Sequence, residues 1–183
     1  MAFRRWFLGL IAFVGVAMAN SSERILFNFG ADEPEWGVIN DGVMGGVSSS
    51  SVRVVNGVLV FSGRVRLENN GGFASNRSSN GKYDLSGFDG IVLRVRGDGK
   101  NYALNVSTSN AGRVLYRAAF ITRDGEWQEV KIPFSSLAPT RFGNTLSGPK
   151  FERGLIESFG FIIANKRAED FKLEVDWIKA FKD

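Results

Sequence analysis

The chain has 183 residues, a formal net charge of +4, 16 phenylalanines, and neither cysteine nor histidine. Without cysteine there are no disulfides, thiolate nucleophiles or cysteine metal sites; without histidine there is no usual triad base, no imidazole-built zinc site and not the commonest general acid-base group. Any catalysis would have to run on carboxylates, Lys or Tyr, as in glycosidase-type carboxylate pairs, and no lysine-arginine stripe interleaved with aromatics marks a nucleic-acid surface.

At the N-terminus, Arg4 and Arg5 form a basic start, Trp6 to Val16 is an apolar run, and Ala17-Met18-Ala19 is a small-x-small cleavage pattern. Residues 1–19 are read as a secretory signal peptide whose cleavage leaves Asn20, and the protein as exported to the periplasm or another extracytoplasmic space. An uncleaved membrane anchor is the alternative. The run is short for a membrane span, and no span is expected after cleavage. Arg4 and Arg5 supply half of the net charge of +4, so the basicity is partly borrowed from this segment. Residues 20–183 suit a single domain.

From there the chain reads as strand after strand. Ile25 to Phe29 opens it. Val52–Val55 and Val58–Leu67 flank Asn56-Gly57, a pair suited to a type I′ turn, so the stretch predicts a hairpin. Leu59, Phe61, Val65 and Leu67 share one face of its second strand, and Gly63 among them marks a bulge or a close backbone approach. Ile91, Leu93 and Val95 alternate with Arg94 and Arg96, the period-two pattern of a half-buried strand. Tyr102–Val106, Val114–Ile121 and Trp127–Phe134 follow. Val130, Ile132 and Phe134 share the buried parity, and Pro133 ends the ladder for want of a donor. Phe151 to Ser158 is at most a short turn or helix, and Phe159–Ala164 reads as a central strand. In the last strand Phe171, Leu173, Val175 and Trp177 alternate with Lys172, Glu174 and Asp176, which places Trp177 in the core; Trp127 falls on the outer parity. About nine strands without βα alternation predict an all-β sandwich in jelly-roll order.

Two glycine-loaded polar runs stand at the ends of the hairpin, Asn40-Asp-Gly-Val-Met-Gly-Gly-Val-Ser48 and Glu68-Asn-Asn-Gly-Gly-Phe-Ala-Ser75, within the stretches 36–50 and 63–78. They are longer than loops that only turn a chain. The pair resembles the signature of the complex I intermediate-associated protein 30 (CIA30) family, and the likeness runs from about Ile25 to Phe181. The resemblance implies a galactose-binding-domain-like jelly roll and a non-catalytic, chaperone-like role in holding partly assembled NADH dehydrogenase. Family members of that kind act inside mitochondria or chloroplasts, so the export reading departs from the pattern.

Within the first run, Asn40 and Asp41 supply directional polar groups, Met44 an apolar contact, and Gly42, Gly45 and Gly46 an accessible backbone. The spacing is not that of a phosphate-binding P-loop. Two readings stay open: a binding loop, or an Ω-like loop in which Asn40 and Asp41 bond their own backbone. In the second run Glu68, Asn69 and Asn70 either face a ligand or cap the neighbouring loop, and Asn76 and Arg77 would complete the same surface. Because the hairpin strands are antiparallel, the loops at its open end are expected to converge. Asp41, Glu68 and the amides are also hard oxygen donors for calcium, although no EF-hand spacing supports that. Neither cofactor nor metal is expected. The partner is expected to be a protein assembly intermediate or, alternatively, a polar ligand such as a glycan bound by an exported carbohydrate-binding module; a hydrolase built on Asp41 and Glu68 is a weaker third reading.

Overall fold

The computed structural model describes residues 22–30 and 34–183; the segment read as a signal peptide, and its cleavage point at Asn20, lie outside them. The described residues form two antiparallel sheets facing each other across one core, the expected jelly-roll sandwich.

The six-stranded sheet contains β1 (Ser22–Phe27), β3 (Ser49–Val55), β4 (Val58–Val65), β6 (Gly90–Arg96), β9 (Trp127–Pro133) and β13 (Glu169–Lys182). Its order is β3-β4-β13-β6-β9, and β1 pairs with the far end of β13. The seven-stranded sheet contains β2 (Trp36–Asn40), β5 (Ala74–Ser78), β7 (Asn101–Thr108), β8 (Leu115–Ile121), β10 (Ala138–Arg141), β11 (Asn144–Thr145) and β12 (Ile156–Ile163), in the order β11-β10-β8-β7-β12-β5-β2. The apolar strand β12 is central, as its sequence requires.

The β3–β4 hairpin turns at Asn56 and Gly57, both at positive φ, which is the backbone a type I′ turn demands. Leu59 and Phe61 of β4, Leu93 and Val95 of β6, Ile132 of β9, and Leu173 and Val175 of β13 are all buried on one face of the six-stranded sheet. Gly63 marks a close approach and not a bulge. The register runs through it on both sides, and a Cβ there would lie 2.1 Å from the Ser49 carbonyl oxygen.

Three expectations are corrected. Val130 is only half-buried, because β9 is an edge strand. Leu67 is exposed, because β4 ends at Val65 and the chain turns before reaching it. Trp177 is not in the core: a register shift between Val175 and Trp177 exchanges the two faces, buries Ile178 and Ala180, and leaves Trp177 outside under the Lys179 ammonium. The stretch at 36–79 also holds two short strands not among those expected from the sequence, β2 and β5, which pair with each other.

Candidate functional site

The two glycine-rich runs meet at the open end of the hairpin. The first leaves β2 as a 3-10 turn over Asp41–Met44, closed by Gly45 at φ 90°. The second makes a short turn over Glu68–Asn70, in which Asn69 and Asn70 both adopt positive φ, a conformation that short polar side chains tolerate.

Asp41 lies between the two runs and is buried, at 1% exposure. One carboxylate oxygen accepts the Ser48 amide at 3.0 Å; the other accepts the Ser48 hydroxyl at 2.5 Å, the Gly72 amide at 2.7 Å and the Phe73 amide at 3.3 Å. Burial pushes the carboxyl up, but the bonds from the Ser48 hydroxyl and the Gly72, Ser48 and Phe73 amides outweigh it and hold Asp41 below the ordinary carboxylate range. The glycine spacing follows from this packing. A Cβ at Gly46 would lie 2.4 Å from the Asp41 carboxyl carbon, and one at Gly71 would lie 2.6 Å from a carboxylate oxygen. These two glycines make room for the carboxylate and do not hold backbone open to solvent.

The remaining residues divide into ties and exposed groups. The Asn40 carboxamide oxygen accepts the Ser50 hydroxyl at 2.7 Å. Asn69 donates to the Gly45 carbonyl at 3.2 Å, a second stitch between the runs. Glu68 is exposed and faces Arg66 at 3.4 Å. Asn70 is exposed, and its side chain bonds no described residue. Asn40, Asp41, Glu68, Asn69 and Asn70 are thus gathered at one end of the hairpin, with Asp41 sealed beneath. For Met44 the structure describes only the backbone of the turn; its side chain lies outside the described residues. Arg77 stands apart, exposed in β5 opposite Gly37 of β2. Asn76 is buried, accepts the Phe161 amide at 3.1 Å, and so replaces a ladder bond between β5 and β12.

A hydrolytic pair needs both carboxylates at the substrate. Asp41 has its oxygens filled by the protein while Glu68 stands in solvent, so the two do not form such a pair. Among the described residues no group of three or more acidic side chains is placed to hold a metal. The outer tryptophans are covered: Arg94 and Arg96 lie over Trp127 at 5.5 Å and 4.8 Å, and Lys179 lies 4.1 Å over Trp177.

Sequence reasoning missed Arg117 on β8. Its guanidinium donates to the Asn105 carboxamide at 2.8 Å and has no carboxylate among the described residues. The available signal was the lack of any acidic residue in Asn101–Thr108 and Leu115–Ile121.

Residues 25–175 match the sequence profile described as complex I intermediate-associated protein 30. The mouse protein named complex I intermediate-associated protein 30, mitochondrial, is 37% identical over 108 residues, covering 55% of this chain and 33% of the mouse protein. The similarly named Drosophila melanogaster protein is 32% identical over 104 residues, covering 52% of this chain and 35% of its own. The chain therefore spans about a third of the length of these relatives. Among solved structures, the family 11 carbohydrate-binding module of a Clostridium thermocellum cellulosomal cellulase superposes with a TM-score of 0.69 at 21% identity, covering 88% of this chain and 95% of the module. At that identity the likeness shows the fold alone. The export expectation is corrected here, because the relatives are named as mitochondrial proteins. Basic residues ahead of an apolar run are read by more than one targeting receptor, so that pattern does not define the compartment. Among the described residues no helix is long and apolar enough to cross a membrane. The chain belongs to the complex I intermediate-associated protein 30 family.

Proposed function

From that membership we propose that the protein is a non-catalytic assembly factor that holds protein partners during construction of the membrane-bound NADH dehydrogenase, in the mitochondrial setting that its relatives' names give. The observation that carries this reading is the family match across residues 25–175, which takes in both stitched runs. A holding function needs a stable scaffold and a fixed polar surface, with no base or nucleophile. The Asp41 knot suits it by fixing the loops beneath while Glu68 and Asn70 stay exposed above. Preorganised groups of this kind lose little entropy on binding.

We assign Glu68, Asn69 and Asn70 as partner contacts, and Asn40 and Asp41 as the residues that position them. The glycan reading draws on fold likeness, and function does not follow from fold; the two outer tryptophans are already covered by cations of the protein itself.

The test is affinity capture by the full chain from isolated mitochondrial membranes, with NADH dehydrogenase subunits quantified by mass spectrometry. Wild-type protein enriches those subunits over an unrelated β-sandwich. Glu68→Gln combined with Asn70→Gly, which keeps the positive φ tolerated, reduces the enrichment at an unchanged melting temperature. Equal enrichment by the sandwich control, or full capture by the double variant, overturns the assignment.

A further inference from the structure

The two outer faces of the sandwich are charged in opposite styles. On the six-stranded sheet four ion pairs run across strands: Arg64 with Asp170 at 3.3 Å, Arg94 with Asp176 at 3.1 Å, Arg96 with Glu174 at 2.6 Å, and Lys179 with Glu23 at 2.8 Å. On the seven-stranded sheet, no strand contributes a side chain to any ion pair among the described residues. The only acidic residue in those strands is Glu157, at the register shift at the start of β12.

The register places Arg117 of β8 opposite Asn105 of β7, and Asn105 opposite Gly160 of β12. The next strand rises over Gly160, since a Cβ there would lie 2.2 Å from the Asn76 carbonyl oxygen and 3.2 Å from the Arg77 Cα. Arg117, Asn105, Gly160 and Arg77 therefore form one row across the sheet. Beside that row run Ala119, Ala103, Ile162 and Ser75. Both parities of β7 are buried past Asn101, and Asn105 and Gly160 separate the two arginines along their row. The Arg117 guanidinium is desolvated, and its one protein acceptor is a neutral amide. A guanidinium so placed offers a planar fork that a carboxylate fills with two parallel bonds.

We propose that this outer face is a docking surface for an extended acidic segment of a protein partner, whose carboxylates seat on Arg117 and Arg77. The inference rests on the protein-holding reading above and adds a second contact to it, on a different part of the molecule. Charge complementarity selects the occupant, because neither Arg117 nor Arg77 makes an ion pair among the described residues. None of the residues in these two rows is aromatic, so the rows hold no stacking platform for a sugar.

Fluorescence anisotropy with the full chain tests the proposal. The probe is a fluorescein-labelled Glu-Ala repeat peptide, its neutral control is the Gln-Ala repeat, and a mixed-linked glucan tetrasaccharide serves as competitor. The Glu-Ala peptide binds, the Gln-Ala peptide does not, and the tetrasaccharide displaces nothing. Arg117→Gln weakens binding about tenfold, the loss of one charge-assisted contact. Exposed Arg77→Gln weakens it less, and Arg64→Gln on the opposite sheet leaves it unchanged. If Arg117→Gln fails to fold, Arg77→Gln decides alone. Equal binding of the neutral peptide, displacement by the sugar, an equal loss with Arg64→Gln, or no binding overturns the proposal. If the peptide fails to bind while the Glu68–Asn70 variant still loses its captured subunits, this face is wrong and the holding function stands. If the peptide binds through Arg117 while no NADH dehydrogenase subunit is captured, the face stands and the assembly role falls.

Discussion

Asp41 accepts four hydrogen bonds in a space that Gly46 and Gly71 leave open. Asp41→Asn keeps the shape, weakens the charge-assisted bonds and turns one acceptor into a donor facing donors. The expected loss is about 1–3 kcal/mol, measured by chemical denaturation. The pH dependence has a defined sign. The folded-state pKa lies below the ordinary carboxylate value, so the contribution is fully present above about pH 4 and is lost as pH falls through the lowered value. The melting-temperature gap between wild type and Asp41→Asn should therefore narrow on acidification, and a constant gap would show that the carboxylate charge does not matter. Legibility was uneven at this scale. The importance of Asp41 and the density of nearby glycines could be read directly, but that the second run closes on this carboxylate depends on contacts 31 and 32 residues along the chain.

Among the elements, β5 is held to β12 in an unusual way. After the ladder pairs at Ser75 and Ala74, the Asn76 carboxamide and the Ser78 hydroxyl accept the Phe161 and Phe159 amides in place of backbone carbonyls. Gly160 permits this because β5 crosses where its Cβ would be. Gly160→Ala is expected to cost about 1–3 kcal/mol through the forced backbone shift, and to speed hydrogen exchange of the Phe161 amide. An unchanged exchange rate would mean that β5 is not anchored there. Leu93→Ala, in the centre of the core, should cost about 2–5 kcal/mol. The β3–β4 hairpin and the alternating strands were legible because their signals are local: a turn dipeptide and a period of two. β2 and β5 were not, since each is only five residues long and they find each other across the hairpin between them. Trp177 was misplaced because one extra residue in β13 inverts every later side chain, and nothing in the local pattern announces it.

For the whole molecule, the charge asymmetry predicts that two arginines on opposite faces contribute oppositely to stability. Arg96 meets Glu174 at 2.6 Å, and that bond leads the effects holding the Glu174 carboxyl below its ordinary value. Arg96→Gln should cost about 0.5–1.5 kcal/mol, less at low pH as Glu174 gains its proton. Arg117 is desolvated without a counter-charge, a placement that opposes folding. Arg117→Gln removes that charge and keeps an amide N–H able to bond Asn105, so its stability should stay within about 0.5 kcal/mol of wild type or rise. Parallel urea titrations of the two variants decide the matter. Should Arg117→Gln lose as much as Leu93→Ala, the guanidinium would be a structural member of the sheet, and the seven-stranded face would have no claim as a surface kept ready for a partner.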